Sequence, residues 1–300
     1  MMDLQRSLEA VLEGATGSFG VAVRHLQTGE KASINPTQLY QMASSFKVPI
    51  LVTLLRDVGE GKLSLDDQIE IGEEDYVPGS GVLTQLSHGV KVTIKDLAML
   101  MIIVSDNIAT DRILRLVGTE NVSSYMKELG LTNLHINQSC WELICMSLGI
   151  GAKSYTPEAA VQLRTQKYTS ASYDKSSLVF QVDQRSNAST PEDMNRLLDM
   201  IATKEILTEA LCDTVLEILF KQQFNGRMPY LLPEGAKVAH KTGTINDVVN
   251  DVGIVYLPEN KGAFTITIFS SSNGSMEEGE RTIARLTKSA YDYFSAAHKV

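Results

Sequence analysis

Three hundred residues, 43% of them hydrophobic and 21% charged, are enough for one large core or two medium ones and exclude disorder as the default. A net charge of -9 and a pI of about 5.1 argue against nucleic acid or an anionic membrane surface as the main partner, but say nothing against a local basic pocket. Cysteine occurs only at Cys140, Cys145 and Cys212, an odd and sparse set that suits a reducing compartment better than a disulfide framework. His135, Cys140 and Cys145 lack the spacing of a metal site, so neither metal nor cofactor is expected. The N-terminus, Met1-Met2-Asp3-Leu4-Gln5-Arg6, reads as the start of an amphipathic helix rather than an export signal, and no apolar run is long enough to span a bilayer. The expectation is a cytoplasmic protein, or a periplasmic or secreted one if a leader has been removed.

In chain order, Leu4, Leu8, Val11 and Leu12 form a helical stripe that stops at Gly14. Ser18 to Leu26 alternates as a strand, and Gln27-Thr28-Gly29-Glu30 turns it into a second strand through Ile34. Asn35-Pro36 breaks that strand. The next helix is entered through Gln41-Met42-Ala43-Ser44-Ser45-Phe46-Lys47 and continues in an apolar run from Val48 to Leu55. Lys62 to Leu86 is polar and turn-rich, with Pro78-Gly79-Ser80-Gly81 forbidding regular structure. Thr93-Ile94-Lys95-Asp96 has the pattern of a capping box and launches a deeply buried helix, Leu97 to Val104. That helix stops at Ser105-Asp106-Asn107 and resumes as an amphipathic helix from Ile108 to Leu116.

A helix is expected over Val122–Leu129. Asn137 to Asn187 is the least legible stretch, with weak helices at Trp141–Leu148 and Pro157–Leu163. Ser189-Thr190-Pro191-Glu192-Asp193 is a strong helix start, and Leu211 to Phe220 adds another helix. Strands are expected at Lys237–Lys241, Val248–Tyr256 and Ala263–Ser270, before a final helix from Glu277 to Phe294. The resulting fold class is α+β: an antiparallel five-stranded sheet flanked by terminal helices, with an inserted all-helical domain. The sheet domain is expected to be discontinuous, residues 1–36 and 195–300, around a helical domain of residues 37–194.

Three polar clusters carry chemistry. Ser44 and Lys47, three apart at a helix N-terminus, could make an activated nucleophile, because a lysine in a dry site can shed its proton and then take the serine's. Ser-x-x-Lys also occurs at Ser124–Lys127 and Ser172–Lys175, so spacing alone does not distinguish a site from a surface pair. Ser105-Asp106-Asn107, at the tip of an apolar helix, is either a capped helix junction or a hydroxyl and an amide offered to a ligand. Lys241-Thr242-Gly243-Thr244 is either a solvent-facing strand end or an anion site where glycine lets the backbone approach.

Taken together and in this order, Ser44-x-x-Lys47, Ser105-Asp106-Asn107 and Lys241-Thr242-Gly243 resemble the signature set of the penicillin-recognising serine enzymes, class A β-lactamases in particular. The resemblance covers nearly the whole chain. It implies an active site in the cleft between the two domains and the opening of β-lactam rings through a serine acyl-enzyme. Ser44 would be the nucleophile and Lys47 its proton acceptor or relay, with backbone N–H groups of Ser44 and Thr244 as the oxyanion hole. Ser105 would protonate the leaving nitrogen, Asn107 would hold the substrate amide, and Lys241, Thr242 and Thr244 would receive its carboxylate. Many relatives add an arginine on the following strand, where Asp251 stands here; Arg227 matches the alternative source that some members use.

The departure is the deacylating glutamate. In the family it follows the Ser-Asp-Asn serine by about thirty-five residues in a Glu-x-x-Leu-Asn pattern. That count reaches Cys140-Trp141-Glu142, with no Leu-Asn after it, and the chain onward to Ser189 is roughly thirty residues longer than usual. Glu142 is either the base that the resemblance implies or a plain helix-surface acid, or else the loop has been rebuilt. Two other functions share the same site: an esterase or D,D-peptidase, or a penicilloyl-binding sensor that is acylated without turnover. The expected partner is a small β-lactam or related acyl substrate bound by a monomer, with no nucleic acid and no membrane.

Overall fold

A computed structural model describes residues 3–166 and 172–297. Along the chain run α1 (Leu4–Leu12), β1 (Ser18–His25), β2 (Lys31–Ile34), β3 (Tyr40–Gln41), α2 (Lys47–Gly59), β4 (Gln68–Ile71), β5 (Val90–Thr93), α3 (Ile94–Ile103), α4 (Asn107–Val117), α5 (Thr119–Glu128), α6 (Cys140–Ser147) and α7 (Pro157–Thr165). They are followed by β6 (Ala188–Ser189), α8 (Pro191–Ala202), α9 (Glu209–Phe220), β7 (Val238–Ile245), β8 (Val248–Tyr256), β9 (Ala263–Ser271) and α10 (Met276–Ala297). The chain divides into a discontinuous unit, Met1–Ser45 with Ser189–Val300, and an inserted unit, Phe46–Ala188.

The first unit is built on a five-stranded antiparallel sheet of order β2-β1-β9-β8-β7. The stripe Leu4 and Leu8 of α1 and the stripe Ile283, Leu286, Ala290 and Phe294 of α10 are buried in one cluster with Phe19, Val21, Val23, Phe264, Ile266 and Ile268 of the sheet. Two amphipathic helices at opposite ends of the chain therefore cover one sheet face, each closing apolar surface that neither could hide alone. β7 runs on to Ile245, so Lys241-Thr242-Gly243-Thr244 lies within a paired strand and not at the end of one, as a strand closing at Lys241 would have it. The strand alternation is masked there by two threonines and a glycine.

The second unit is organised around α2, whose Val48, Ile50, Leu51, Val52, Leu54 and Leu55 are fully buried and which packs on α3, α4 and α5. α3 begins in the expected capping box: Thr93 Oγ1 accepts the Asp96 amide at 3.0 Å while Asp96 Oδ2 accepts the Thr93 amide at 3.3 Å. A short antiparallel pair joins β4, inside the segment Lys62 to Leu86 that sequence marks only as turn-rich, to β5 just beyond it. Within the stretch Asn137–Asn187, α6 and α7 stand close to the expected weak helices; residues 167–171 lie outside the described residues. Among the described residues no helix is long and apolar enough to cross a membrane, and no cluster of His, Cys, Asp and Glu could hold a metal ion.

Candidate active site

In the inserted unit the site is built on Lys47, the first residue of α2 and completely buried. Its ammonium donates to Ser105 O at 2.8 Å, Ser105 Oγ at 3.1 Å and Asn107 Oδ1 at 2.8 Å. Three acceptors suit a protonated amine. Burial pushes its pKa below the ordinary lysine value, while Cys140, Asp106 and Asp111 pull it back up. A lysine so placed can exist as a neutral amine, and then the Ser105 hydroxyl can turn to donate to it. The Lys47–Ser105 hydrogen bond is of a kind that can pass a proton in either direction.

The Ser105-Asp106-Asn107 turn is held from two sides. Asp106 caps α4 by accepting the Ala109 amide at 3.0 Å on Oδ1, and its Oδ2 accepts the amides of Val82 and Leu83 at 2.7 and 2.9 Å. Ser80 Oγ donates to Ser105 O at 2.7 Å, Ser80 O accepts the Asn107 amide at 3.0 Å, and Asn107 Nδ2 donates to Pro78 O at 2.8 Å. Pro78-Gly79-Ser80-Gly81 is therefore a strap over this turn. A Cβ on Gly81 would fall 2.3 Å from the Asp106 carboxyl, and one on Gly79 2.8 Å from Asn107 Nδ2. Sequence marks the strap only as irregular; the two glycines around a serine were the available signal. Ser105 itself takes φ +54°, a left-handed conformation that costs a non-glycine residue about 1–3 kcal/mol and recurs where function fixes the backbone.

α6 approaches from another direction. Asp111 of α4, buried, accepts the Cys140 amide at 2.7 Å on Oδ1 and the Trp141 amide at 2.9 Å on Oδ2, so one carboxyl group takes two orphan amides of the α6 N-terminus. Its pKa is raised to about 6, chiefly by burial, against the lowering effect of those two amides and of Lys47. The Cys140 thiol is close enough to Lys47 to interact with its charge, and burial drives the thiol pKa upward, leaving it neutral. Glu142 takes part in a capping box at the start of α6. Its Oε2 accepts the Ser139 amide at 2.9 Å while Ser139 Oγ accepts the Glu142 amide at 3.2 Å, a capping box. Among the described residues no hydrogen bond joins Glu142 to Lys47, Ser105 or Asn107.

In the sheet unit, Ser44 lies in a 3-10 turn, Ala43–Phe46, with α2 starting at Lys47 rather than at the serine. Ala43 has φ +44°, a second left-handed non-glycine residue, immediately before the nucleophile candidate. Ser45 Oγ and Ser45 N both bond Met42 O, at 2.6 and 3.1 Å, and Asn250 Nδ2 donates to Gln41 O and Met42 O at 2.8 and 3.0 Å. Asn250 thereby ties the Ser44 turn to β8, and β7 comes against the same turn at Gly243. Lys241 is completely buried and donates to Thr242 O at 2.8 Å, whereas Thr244 is exposed.

Arg227 is buried behind this strand. Its Nη1 donates to Gly243 O and Asn250 O at 2.9 and 2.6 Å, its Nη2 to Thr244 Oγ1 at 2.5 Å, and its Nε to Glu280 at 3.2 Å. The remaining Ser-x-x-Lys copies form no such arrangement: Ser124, Lys127 and Lys175 are exposed.

The chain matches known proteins over nearly its full length. A sequence profile of the Beta-lactamase enzyme family matches residues 3–294. The β-lactamase VEB-1 of Pseudomonas aeruginosa is 26% identical over 97% of this chain and 90% of its own length. The crystal structure of a β-lactamase from Sphaerobacter thermophilus superposes with a TM-score of 0.78 at 26% identity, covering 98% of both chains. PBP-A, at 24% identity and TM-score 0.78 over 97% of this chain and 95% of its own, shares the fold. The chain belongs to the β-lactamase enzyme family.

Proposed function

We propose that the protein hydrolyses a β-lactam amide through an acyl intermediate on Ser44. The observation that carries this is the fully buried Lys47, with a depressed proton affinity and hydrogen bonds to Ser105 and Asn107. Ser44 attacks the lactam carbonyl as its proton passes to the neutral Lys47 amine. Backbone N–H groups of Ser44 and Thr244 meet the developing oxyanion, the step at which a fixed donor contributes most. The proton then leaves Lys47 by way of Ser105 to the departing nitrogen. Asn107 holds the substrate amide, while Lys241, Thr242 and Thr244 receive the carboxylate. The expected substrate is a small β-lactam, and the chemistry needs no metal or cofactor.

Release of the acyl group requires a base for water, and the candidate carboxylates of the inserted unit already accept backbone amides. Asp106 holds Val82, Leu83 and Ala109; Asp111 holds Cys140 and Trp141; Glu142 holds Ser139. Deacylation is therefore the slow step on this reading. The test is hydrolysis of a chromogenic cephalosporin with intact-mass analysis of the same sample. Turnover that disappears in Ser44→Ala, with a transient adduct on Ser44, is expected. Turnover that survives Ser44→Ala, or an adduct on another side chain, would sink the proposal.

A further inference from the structure

Arg227 has the charge of a carboxylate ligand but not the exposure of one. Only 5% of its surface is accessible, and all three guanidinium nitrogens are engaged within the protein, on Gly243 O, Asn250 O, Thr244 Oγ1 and Glu280. One of these contacts faces outward chemically. Thr244 Oγ1 accepts from the guanidinium, so its own hydroxyl proton points elsewhere and is available to an incoming acceptor; Thr244 is exposed.

The segment carrying Arg227 is itself gripped on both flanks by a buried pair that the reaction does not use. His240 precedes Lys241 on β7 and Asp251 follows Asn250 on β8; they are 1% and 0% exposed. Asp251 accepts the His240 Nδ1 proton at 2.9 Å on Oδ1 and the Met228 amide at 3.1 Å on Oδ2. The other ring nitrogen, His240 Nε2, meets Asn225 Oδ1 at 3.2 Å. Residues 225 and 228 are thus fixed to β7 and β8 while residue 227 reaches between them to the backbone of both strands.

We propose that Arg227 acts on the substrate carboxylate through Thr244, whose hydroxyl it orients as a donor, and that the His240–Asp251 pair is the element that positions Arg227 to do so. Arg227, His240 and Asp251 are positioning residues; Thr244 is the group that touches substrate. A direct guanidinium–carboxylate pair would need Arg227 to give up hydrogen bonds it already makes to Gly243 O, Asn250 O, Thr244 Oγ1 or Glu280. This inference rests on the β-lactam reading above for the place of the carboxylate, though not for its existence as a binding feature.

The experiment compares KM and kcat for matched p-nitrophenyl esters with and without a carboxylate, alongside a carboxylate-bearing cephalosporin. Asp251→Asn, close in shape, is expected to raise KM for the carboxylated substrates roughly tenfold with kcat little changed, and to leave the neutral ester unaffected. In a Thr244→Val background the same substitution adds nothing further, whereas Thr244→Ser retains the parental KM. Should Asp251→Asn not fold, Asn225→Ala, at an exposed residue, shifts the same KM in the same direction by a smaller factor. Equal losses on both esters, an unchanged KM, or additivity with Thr244→Val would overturn the proposal. Absence of cephalosporin turnover beside Ser44-dependent ester cleavage would instead remove the β-lactam reading and leave the ester comparison to decide this one.

Discussion

A Cβ placed on Gly243 would lie 3.1 Å from the amide nitrogen of Ser44, and only 2.6 Å from Met42 O. The Lys-Thr-Gly strand is thus in backbone contact with the turn that carries Ser44, and the contact exists because that position has no side chain. The obstructing atoms are all backbone, so they cannot rotate away. Gly243→Ala must push β7 off the Ser44 turn, moving the Thr244 amide relative to the Ser44 amide. The expected result is a loss of acylation rate of about 10²-fold or more, the usual effect of losing one oxyanion donor. A destabilisation of about 1–3 kcal/mol should accompany it. Stopped-flow acylation and urea unfolding measure the two; a folded variant that acylates at the parental rate would mean the strand contact does not set the oxyanion hole.

Lys47 has to be neutral to accept a proton, and burial lowers its pKa. The sign follows directly: the neutral fraction, and with it the acylation rate, grows as pH rises through a midpoint below the ordinary lysine value of 10.5. Lys47→Arg keeps the positive charge and removes the titration, since guanidinium does not deprotonate in proteins. Acylation should fall by about 10²–10⁴-fold and lose this limb of its pH profile. A pH profile unchanged in Lys47→Arg would exclude the amine as the proton acceptor.

Much of this was readable beforehand, and the reasons are specific. The stripes of α1 and α10 and the strand alternation through Phe264, Ile266 and Ile268 report burial by their period, so the sheet unit was legible. Ser44, Lys47, Ser105 and Lys241 were marked by three motifs in one order. What escaped depends on contacts distant in sequence. Asp251 reads as a polar residue in a strand until His240 and the Met228 amide are beside it, 11 and 23 residues away. Ser80 reads as part of a loop until Ser105 O is found 25 residues on. Glu142 is a different case: a count along the chain lands on a carboxylate, and Ser139 three residues earlier shares a capping box with it. Ser139-Cys140-Trp141-Glu142 carries the Ser-x-x-Glu capping pattern in the sequence itself.

Asp111 should leave a mark on stability against pH. Its folded pKa, about 6, lies above the unfolded value of 3.8, so the folded state holds the extra proton between these values. The stabilisation is therefore complete below about pH 3.8 and is lost as pH rises through 6. Taking 1.36 kcal/mol for each tenfold change in proton affinity, the loss from this group amounts to about 3 kcal/mol. Asp111→Asn cannot titrate, and its single carbonyl oxygen can serve only one of the Cys140 and Trp141 amides. It should be less stable than the parent at pH 4, with the gap narrowing toward pH 7. Parallel unfolding curves for the two proteins across that range would refute the assignment.

The last prediction concerns Glu142 and the rate of release. If its carboxylate serves the α6 capping box, Glu142→Gln removes charge near a helix N-terminus but keeps an oxygen for the Ser139 amide. The cost should be about 1 kcal/mol or less in stability, the usual range for a weakened cap. A cephalosporin should still give the parental burst, one product per Ser44, followed by a steady rate within about threefold of the parent. If Glu142 is instead the base that activates water, the burst persists and the steady phase falls by about 10²–10⁴-fold, with the acyl-enzyme accumulating in the mass spectrum. The two roles separate cleanly because, on the proposed mechanism, acylation depends on Lys47 and Ser105 and is common to both. The geometry favours the first outcome: the box fixes Glu142 Oε2 on the Ser139 amide, while the Lys47 environment holds Cys140, Asp106 and Asp111. A collapsed steady phase in Glu142→Gln would show that the capping carboxylate also reaches water in the acylated state, and deacylation would then have a dedicated base.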